Sequence, residues 1–475
     1  MDVVTRYDLA LLVLFAIFIS IFLYSKRSNL KKEGLLFLYK TSWGIKLIER
    51  VGNRYQKTLK FLGYISITLG YFLMATMLYL FVKIIYLYVA YPAIVREIKI
   101  PPIMPLIPYL PGIFKLDFLP EFYFTYWIII LAVIAITHEF AHGIFAALNK
   151  VRIKTTGFGF FPYFLPVFLA AFVELDEEEM AKKKKIPQMA ILSAGTFANT
   201  ITAILFFFII WLFFIGTFVP TGVVFNDYSY SVIAISSITS INNNLLNNPT
   251  YEDVVALAGN RSLNEIKVGE RVYVGIKAMD NNLEKIALYD DSPAINNNLT
   301  GAIMEINNVK IDSVEKLGEE LKKYSPGQEI TMKINDGTGI KEQKITLGEN
   351  PEDKTKPWIG IGFQIQEKSG IIGNVYGMLS SFKNPNIYYE SKWGNFGLFI
   401  YNLLWWLVLI SISVALVNML PVGIFDGGRF FYLTIWGITK SEKKANYAYK
   451  FMTYFFLFLL FVLMLFWALS FTNIL

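Results

Sequence analysis

Cysteine is missing from this sequence altogether. Disulfides and thiolate metal sites are therefore excluded. Histidine is nearly missing too: there are 2, and both fall in "AITHEFAHGI", Ala135 to Ile144. Charged residues make up only 17% of the chain, whereas soluble domains carry about 25%. In their place stand apolar residues, 55% of 475, gathered into long runs. That composition marks a polytopic membrane protein. The net charge of +7 does not require nucleic acid as a partner, because a positive-inside bias of the loops explains it more simply.

A membrane helix needs about 20 apolar residues. Runs of that kind lie at Leu9–Tyr24, which is slightly short, and within Phe61–Ala90, Phe122–Leu148, Ile186–Phe225, Trp393–Phe425 and Phe451–Leu475. The N-terminal run lacks a clear small-x-small cleavage site, and most nearby basic residues follow it, so it reads as a span rather than a signal peptide. Basic residues crowd alternate connections: Lys26 to Lys60 after span one, Lys150 to Lys185 after span three, Arg429 to Lys444 after span five. Those loops are expected on the cytoplasmic side, and the clusters read as topology signals in preference to a lipid-binding patch.

His138 and His142 sit at i and i+4, so on a helix they share a face about 5–6 Å apart and can hold one metal. Glu139 follows the first and can reach a metal-bound water as a general base. Two satisfied core histidines are the bland alternative. Histidines within a span are costly and usually functional, and the only two in the chain stand at ligand spacing. A catalytic zinc needs a third protein ligand and an open position. With no other histidine and no cysteine, that ligand should be a carboxylate. Asp426 in "NMLPVGIFDGGR" is the leading candidate, expected to end span five where Pro421, Gly423, Gly427 and Gly428 break the helix. A solvated loop beginning at Asp426 is the alternative. Glu174 and Asp176 are rivals, set lower because the acidic run continues to Glu179 and suggests a wet surface.

These motifs together resemble the site-2 protease family of intramembrane zinc proteases. The family pairs H-E-x-x-H in one span with N-x-x-P-x-x-x-x-D-G in a later one, here "HEFAH" at His138–His142 and "NMLPVGIFDG" at Asn418–Gly427. "SAGTFANT", Ser193 to Thr200, is similar to its G-x-x-x-N signature, and "AAFVELDEEE" to its connector; Thr196 stands where many members have proline. The resemblance implies that His138, His142 and Asp426 hold Zn2+ and that Glu139 is the general base and proton carrier. It implies that Asn199 and Asn418 bind the substrate backbone or polarise the scissile carbonyl. Helix–helix hydrogen bonding is the alternative for both asparagines. The implied activity is hydrolysis of peptide bonds within or near transmembrane segments of membrane-anchored protein substrates, as in regulated intramembrane proteolysis. A catalytically silent membrane scaffold is the rival reading, and the intact Glu139 argues against it. A membrane zinc protease acting on soluble peptides is a second rival; such enzymes usually take the third ligand from a glutamate-bearing helix.

"TTGFGFFPYFLPVFLAAFV", Thr155 to Val173, is apolar but carries two glycines and two prolines. A re-entrant segment fits it better than a clean helix, and the corresponding family segment resembles a β-hairpin whose edge could take an unwound substrate as an added strand. Residues 221–370 are polar, with strand-like alternation in "RVYVGIKA" and "EITMKIND". Within them Asp290 to Ile334 resembles a PDZ domain: Ser292-Pro293-Ala294, the strand and turn "GAIMEINNVKI", a helix near Val314–Lys323, then "PGQEITMKI". Such a domain binds peptide C-termini by strand addition or acts as a steric cap. Thr221–Lys285 has no assignment. Two sequons, at Asn260 and Asn298, are compatible with an extracytoplasmic position but weigh little.

The expected architecture is thus a polytopic α-helical membrane protein of about six transmembrane helices, with a re-entrant β-hairpin-like segment and an extracytoplasmic α+β PDZ-like domain. Residues 1–92 form an N-terminal pair of spans with a basic cytoplasmic loop and no derivable role. The first part of the catalytic membrane core is 93–220, the soluble PDZ-like domain 221–370, and the second part of the core 371–475.

Overall fold

The computed structural model describes residues 3–34, 36–92, 95, 101–102, 104, 106–114, 116, 119–161, 167–258, 264–280, 284–363 and 382–469. The Asn260 sequon, the 370/371 boundary and the last six residues of span six lie outside them. The chain divides into two compact units, Met1–Leu212 with Phe399–Leu475, and Phe213–Leu398.

The first unit is built on helices α1 (Val3–Ser25), α2 (Ile45–Arg54), α3 (Gln56–Ala90), α4 (Phe124–Leu148), α5 (Lys185–Thr217), α6 (Gly394–Asn418), α7 (Asp426–Thr439) and α8 (Glu442–Leu469). Among the described residues six of these, all but α2 and α7, are long and apolar enough to cross a membrane. The first is less short than its apolar run, at 23 residues. Exposed Phe18, Phe72, Ile204 and Phe458 give these helices apolar outer faces, as lipid contact requires. The connection after span five is not a plain loop. It holds the 14-residue helix α7, and α8 begins at Glu442, ahead of the expected Phe451.

Helices α3, α4, α5 and α7 enclose a core of Met74, Phe145, Ala190, Ile191 and Phe430. A buried pair, Ser66 Oγ and Ser193 Oγ at 2.7 Å, ties α3 to α5. Small residues let α2 approach α4 closely: a Cβ on Gly52 would lie 2.7 Å from that of Ala147, and one on Gly143 2.9 Å from Ile48. Close backbone approach through glycine is a common membrane helix contact.

The same unit holds a four-stranded antiparallel sheet in the order β1 (Leu30–Glu33), β2 (Leu36–Thr41), β3 (Ile153–Phe161), β4 (Val167–Leu175). The expected hairpin is β3–β4, with Thr156 opposite Val173. The N-terminal pair of strands extends it, Leu38 pairing with Gly159. Within the described residues β4 is therefore an edge strand, and it lies against α4.

In the second unit, strands run in the order Ile340–Thr346, Glu329–Asn335, Ala302–Ile306, Phe218–Val224, Ile387–Ser391. Glu329–Asn335 alternates buried and less buried positions, as the sequence pattern predicts. Helix Val314–Leu321 is capped by Ser313, whose hydroxyl accepts the Lys316 amide, and its Leu317 joins Ile303, Ile330 and Ile345 in one core. The strands from Tyr230–Ala234 to Arg271–Asp280 belong to another sheet, with a separate core of Ile241, Val254, Ile266 and Ile286.

Candidate metal centre

The apolar run before the motif folds as α4 and carries His138 and His142 one turn apart, 9% and 8% exposed. Their Nε2 atoms lie 3.1 Å apart. Asp426 Oδ2 lies 3.3 Å from the first and 3.2 Å from the second. Asp426 does not end span five as expected: α6 stops at Asn418, seven residues turn back, and Asp426 opens α7. The two glycines after it permit the turn. A Cβ on Gly427 would collide with the backbone of Met419 and Leu420, and one on Gly428 with that of Val422.

The donor set fits a metal. A tetrahedral zinc with bonds of about 2.0–2.1 Å has ligand–ligand edges of about 3.3 Å. The three atoms form a near-equilateral triangle of that size, leaving the fourth vertex for water or substrate. The rival carboxylates are committed elsewhere. Glu174 accepts from Lys40 at 2.6 Å and from Thr155 at 2.8 Å. Asp176 caps the short helix Glu177–Ala181, accepting the Glu178 and Glu179 amides.

Neighbours set the imidazoles. His142 Nδ1 is 2.7 Å from the Ile191 carbonyl oxygen. A carbonyl only accepts, so Nδ1 carries the proton and Nε2 presents its lone pair to the triangle. His138 Nδ1 is 3.0 Å from the amide of the fully buried Asn199, whose Oδ1 is buried and has no hydrogen-bond partner among the described residues. The two ends of an asparagine amide have one shape, and the network decides between them. Binding metal through His138 Nε2 requires a proton on Nδ1 and an acceptor beside it. A half-turn of the amide puts Oδ1 there. Gly195 completes the cradle: a Cβ there would lie 2.5 Å from both Nε2 atoms. The G-x-x-x-N signature thus supplies one residue that makes room and one that faces a ligand.

Glu139 reaches the sheet. Its Oε2 accepts the Val173 amide at 2.9 Å, on the edge of β4 that faces α4. A cavity of about 20 Å³ beside it is large enough for about one water. Asn418, the last residue of α6, is half-buried, and its side chain makes no hydrogen bond among the described residues.

One further residue escaped the sequence reading. Asp8, 5% exposed in α1, accepts the amides of Phe124 at 2.7 Å and Thr125 at 2.9 Å and the hydroxyls of Thr125 and Tyr109. It caps α4 from another span, where the N-cap residue Tyr123 supplies no side-chain cap hydrogen bond.

Residues 126–462 match the family model described as Peptidase family M50. An uncharacterized protein of Methanocaldococcus jannaschii is 33% identical over 201 residues, 40% of this chain and 48% of that protein. The chain thus spans about half the length of that curated relative. The family match runs from α4 into α8 and includes all three residues of the candidate metal centre, so the chain belongs to peptidase family M50, the site-2 protease family. Membership makes it a multi-pass membrane protein of a metalloprotease family, one that is generally zinc-dependent.

Proposed function

We propose that this protein is an intramembrane zinc metalloprotease that hydrolyses peptide bonds within or near the transmembrane segments of membrane-anchored proteins. The convergence of His138, His142 and Asp426 donor atoms at 3.1–3.3 Å, with Glu139 hydrogen-bonded to the edge strand β4, carries this reading. Zinc held by these three residues would supply Lewis acidity, making water deprotonation accessible near neutral pH.

The remaining work falls to the chain. The Val173 amide holds Glu139 Oε2, which leaves Oε1 to take the proton of the attacking water and to return it to the departing amine. A helical substrate hides its peptide bonds in its own hydrogen bonds. An unwound segment regains them by adding to the edge of β4. Asn418, whose amide makes no hydrogen bond among the described residues, stands eight residues before Asp426 and would hold a substrate carbonyl. For Asn199 full burial favours holding His138 over touching substrate.

The basic connections support a cytoplasmic side for the loops around Lys40 and Lys183 and an extracytoplasmic side for the inserted unit. There the PDZ-like region, Asp290 to Ile334, would bind peptide C-termini or exclude bulky proteins. Cleavage of a shortened single-span protein by the purified enzyme, compared with Glu139→Gln, tests the proposal. Equal cleavage by both proteins, with zinc bound in each, would end it.

A further inference from the structure

Between α3, the end of α4 and the start of α5 lies a groove of about 630 Å³, within the range of about 300–1,000 Å³ of small-molecule sites. Its floor is apolar, formed by Leu59, Ile67, Leu148 and Ala190, while Lys60, Lys184 and Lys185 stand in its lining. Among the described residues no carboxylate lines it. Lys185 is engaged: its Nζ donates to the Trp436 carbonyl at 3.0 Å and lies 4.3 Å from the centre of that ring. Lys60 and Lys184 are exposed, and among the described residues neither makes an ion pair. At the groove mouth Tyr64 and Ile186 are 63% and 55% exposed.

The groove therefore asks for two chemistries at once. A soluble anion would meet the lysines and leave the apolar floor wet. A neutral lipid would cover the floor and leave two cations without a counter-charge, and a zwitterionic one would set its own ammonium beside them, cancelling the attraction of its phosphate. We infer that the groove is a site for one anionic phospholipid, an acyl chain on the floor and its phosphate between Lys60 and Lys184. Its position supports this choice, because α3 and α5 both change from basic to apolar there, as a chain does at the membrane surface. Most basic residues of these loops need no role beyond topology; these two frame a cavity.

The site also backs onto the metal centre. Ala190 of the floor precedes Ile191, whose carbonyl orients His142. Leu148 ends the helix that carries both histidines. A bound chain would fill the space behind those two helices and stabilise them.

The test uses the full chain in neutral detergent with added dioleoylphosphatidylglycerol or dioleoylphosphatidylcholine. Bound lipid is counted by native mass spectrometry and the thermal midpoint is followed. Phosphatidylglycerol should bind at one per chain and raise the midpoint, phosphatidylcholine should do neither, and inorganic phosphate alone should not reproduce the rise. A lysine near an anionic surface contributes about fivefold in affinity. K60Q/K184Q should therefore bind phosphatidylglycerol about 25-fold more weakly, K60R/K184R should retain it, and K443Q/K444Q should match the parent. Zinc content should stay constant throughout. Equal binding of the two lipids, an equal loss in K443Q/K444Q, or a full effect from phosphate alone overturns the inference.

Discussion

Asp8 Oδ2 accepts the backbone amide of Phe124 at 2.7 Å, so the first span caps the helix that carries both histidines. Hydrogen bonds to a charged group contribute about 1.5–3 kcal/mol each, and a buried donor left alone costs about as much. Asp8→Ala should destabilise the first unit by about 3 kcal/mol. Asp8→Asn should lose less, since one oxygen remains to accept. Thermal unfolding in detergent reads both. A parent-like midpoint for Asp8→Ala would show that the cap contributes nothing.

Removing the partner of a metal-bound histidine typically weakens metal binding about 10–100-fold. Asn199→Ala should do so, and Asn199→Asp should recover most of the loss by accepting from His138 Nδ1. Competition with a chromophoric chelator measures each affinity. Unchanged affinity in Asn199→Ala would return this residue to a substrate or helix-packing role.

At Gly195 even a methyl group competes with the ligand atoms. Gly195→Ala should lose stoichiometric zinc while circular dichroism stays that of the parent. Full metal content in that variant would mean that α5 moves aside easily.

The general base can be separated from the ligands. Loss of a positioned base typically costs about 10²–10⁴-fold in rate. Glu139→Gln should lose turnover on that scale and keep its zinc. Val173→Pro, which deletes the amide that holds Glu139, should also lower turnover with zinc retained. His138→Ala should instead lose the metal itself.

Orientation is open to a direct check because the chain has no cysteine. In intact cells an impermeant thiol reagent should label Asn298→Cys and spare Lys183→Cys. The opposite pattern would reverse the proposed topology.

What the sequence disclosed follows from how local each signal is. His138 and His142 were readable because a helix fixes the geometry of i and i+4. Asp426 was readable as a candidate ligand through proline and glycine that stop a helix, but those residues did not reveal that it starts a new one. The hairpin β3–β4 was expected from its glycines and prolines, whereas its pairing with β2 joins residues more than a hundred positions apart and leaves no periodic trace. Asp8 is a lone acid near the start of an apolar run. Its significance depends on Phe124 and Thr125 meeting it in space. Asn199 was visible as a motif residue, yet its burial against His138 was not, because G-x-x-x-N spacing says nothing about which side of a ligand it occupies.

The sheet that extends the hairpin has two ends of opposite character. β1, "LKKE", is short, mostly exposed and charged, a composition that discourages a further strand. β4, "VFLAAFVEL", is nearly all apolar. If substrate adds to this sheet as proposed, growth is directional: a guest chain would be discouraged at one margin and taken at the other, and the margin that takes it would reward apolar sequence. Discrimination between a membrane segment and a soluble peptide can then begin before any side chain reaches Glu139, in the unequal edges of a four-stranded ribbon.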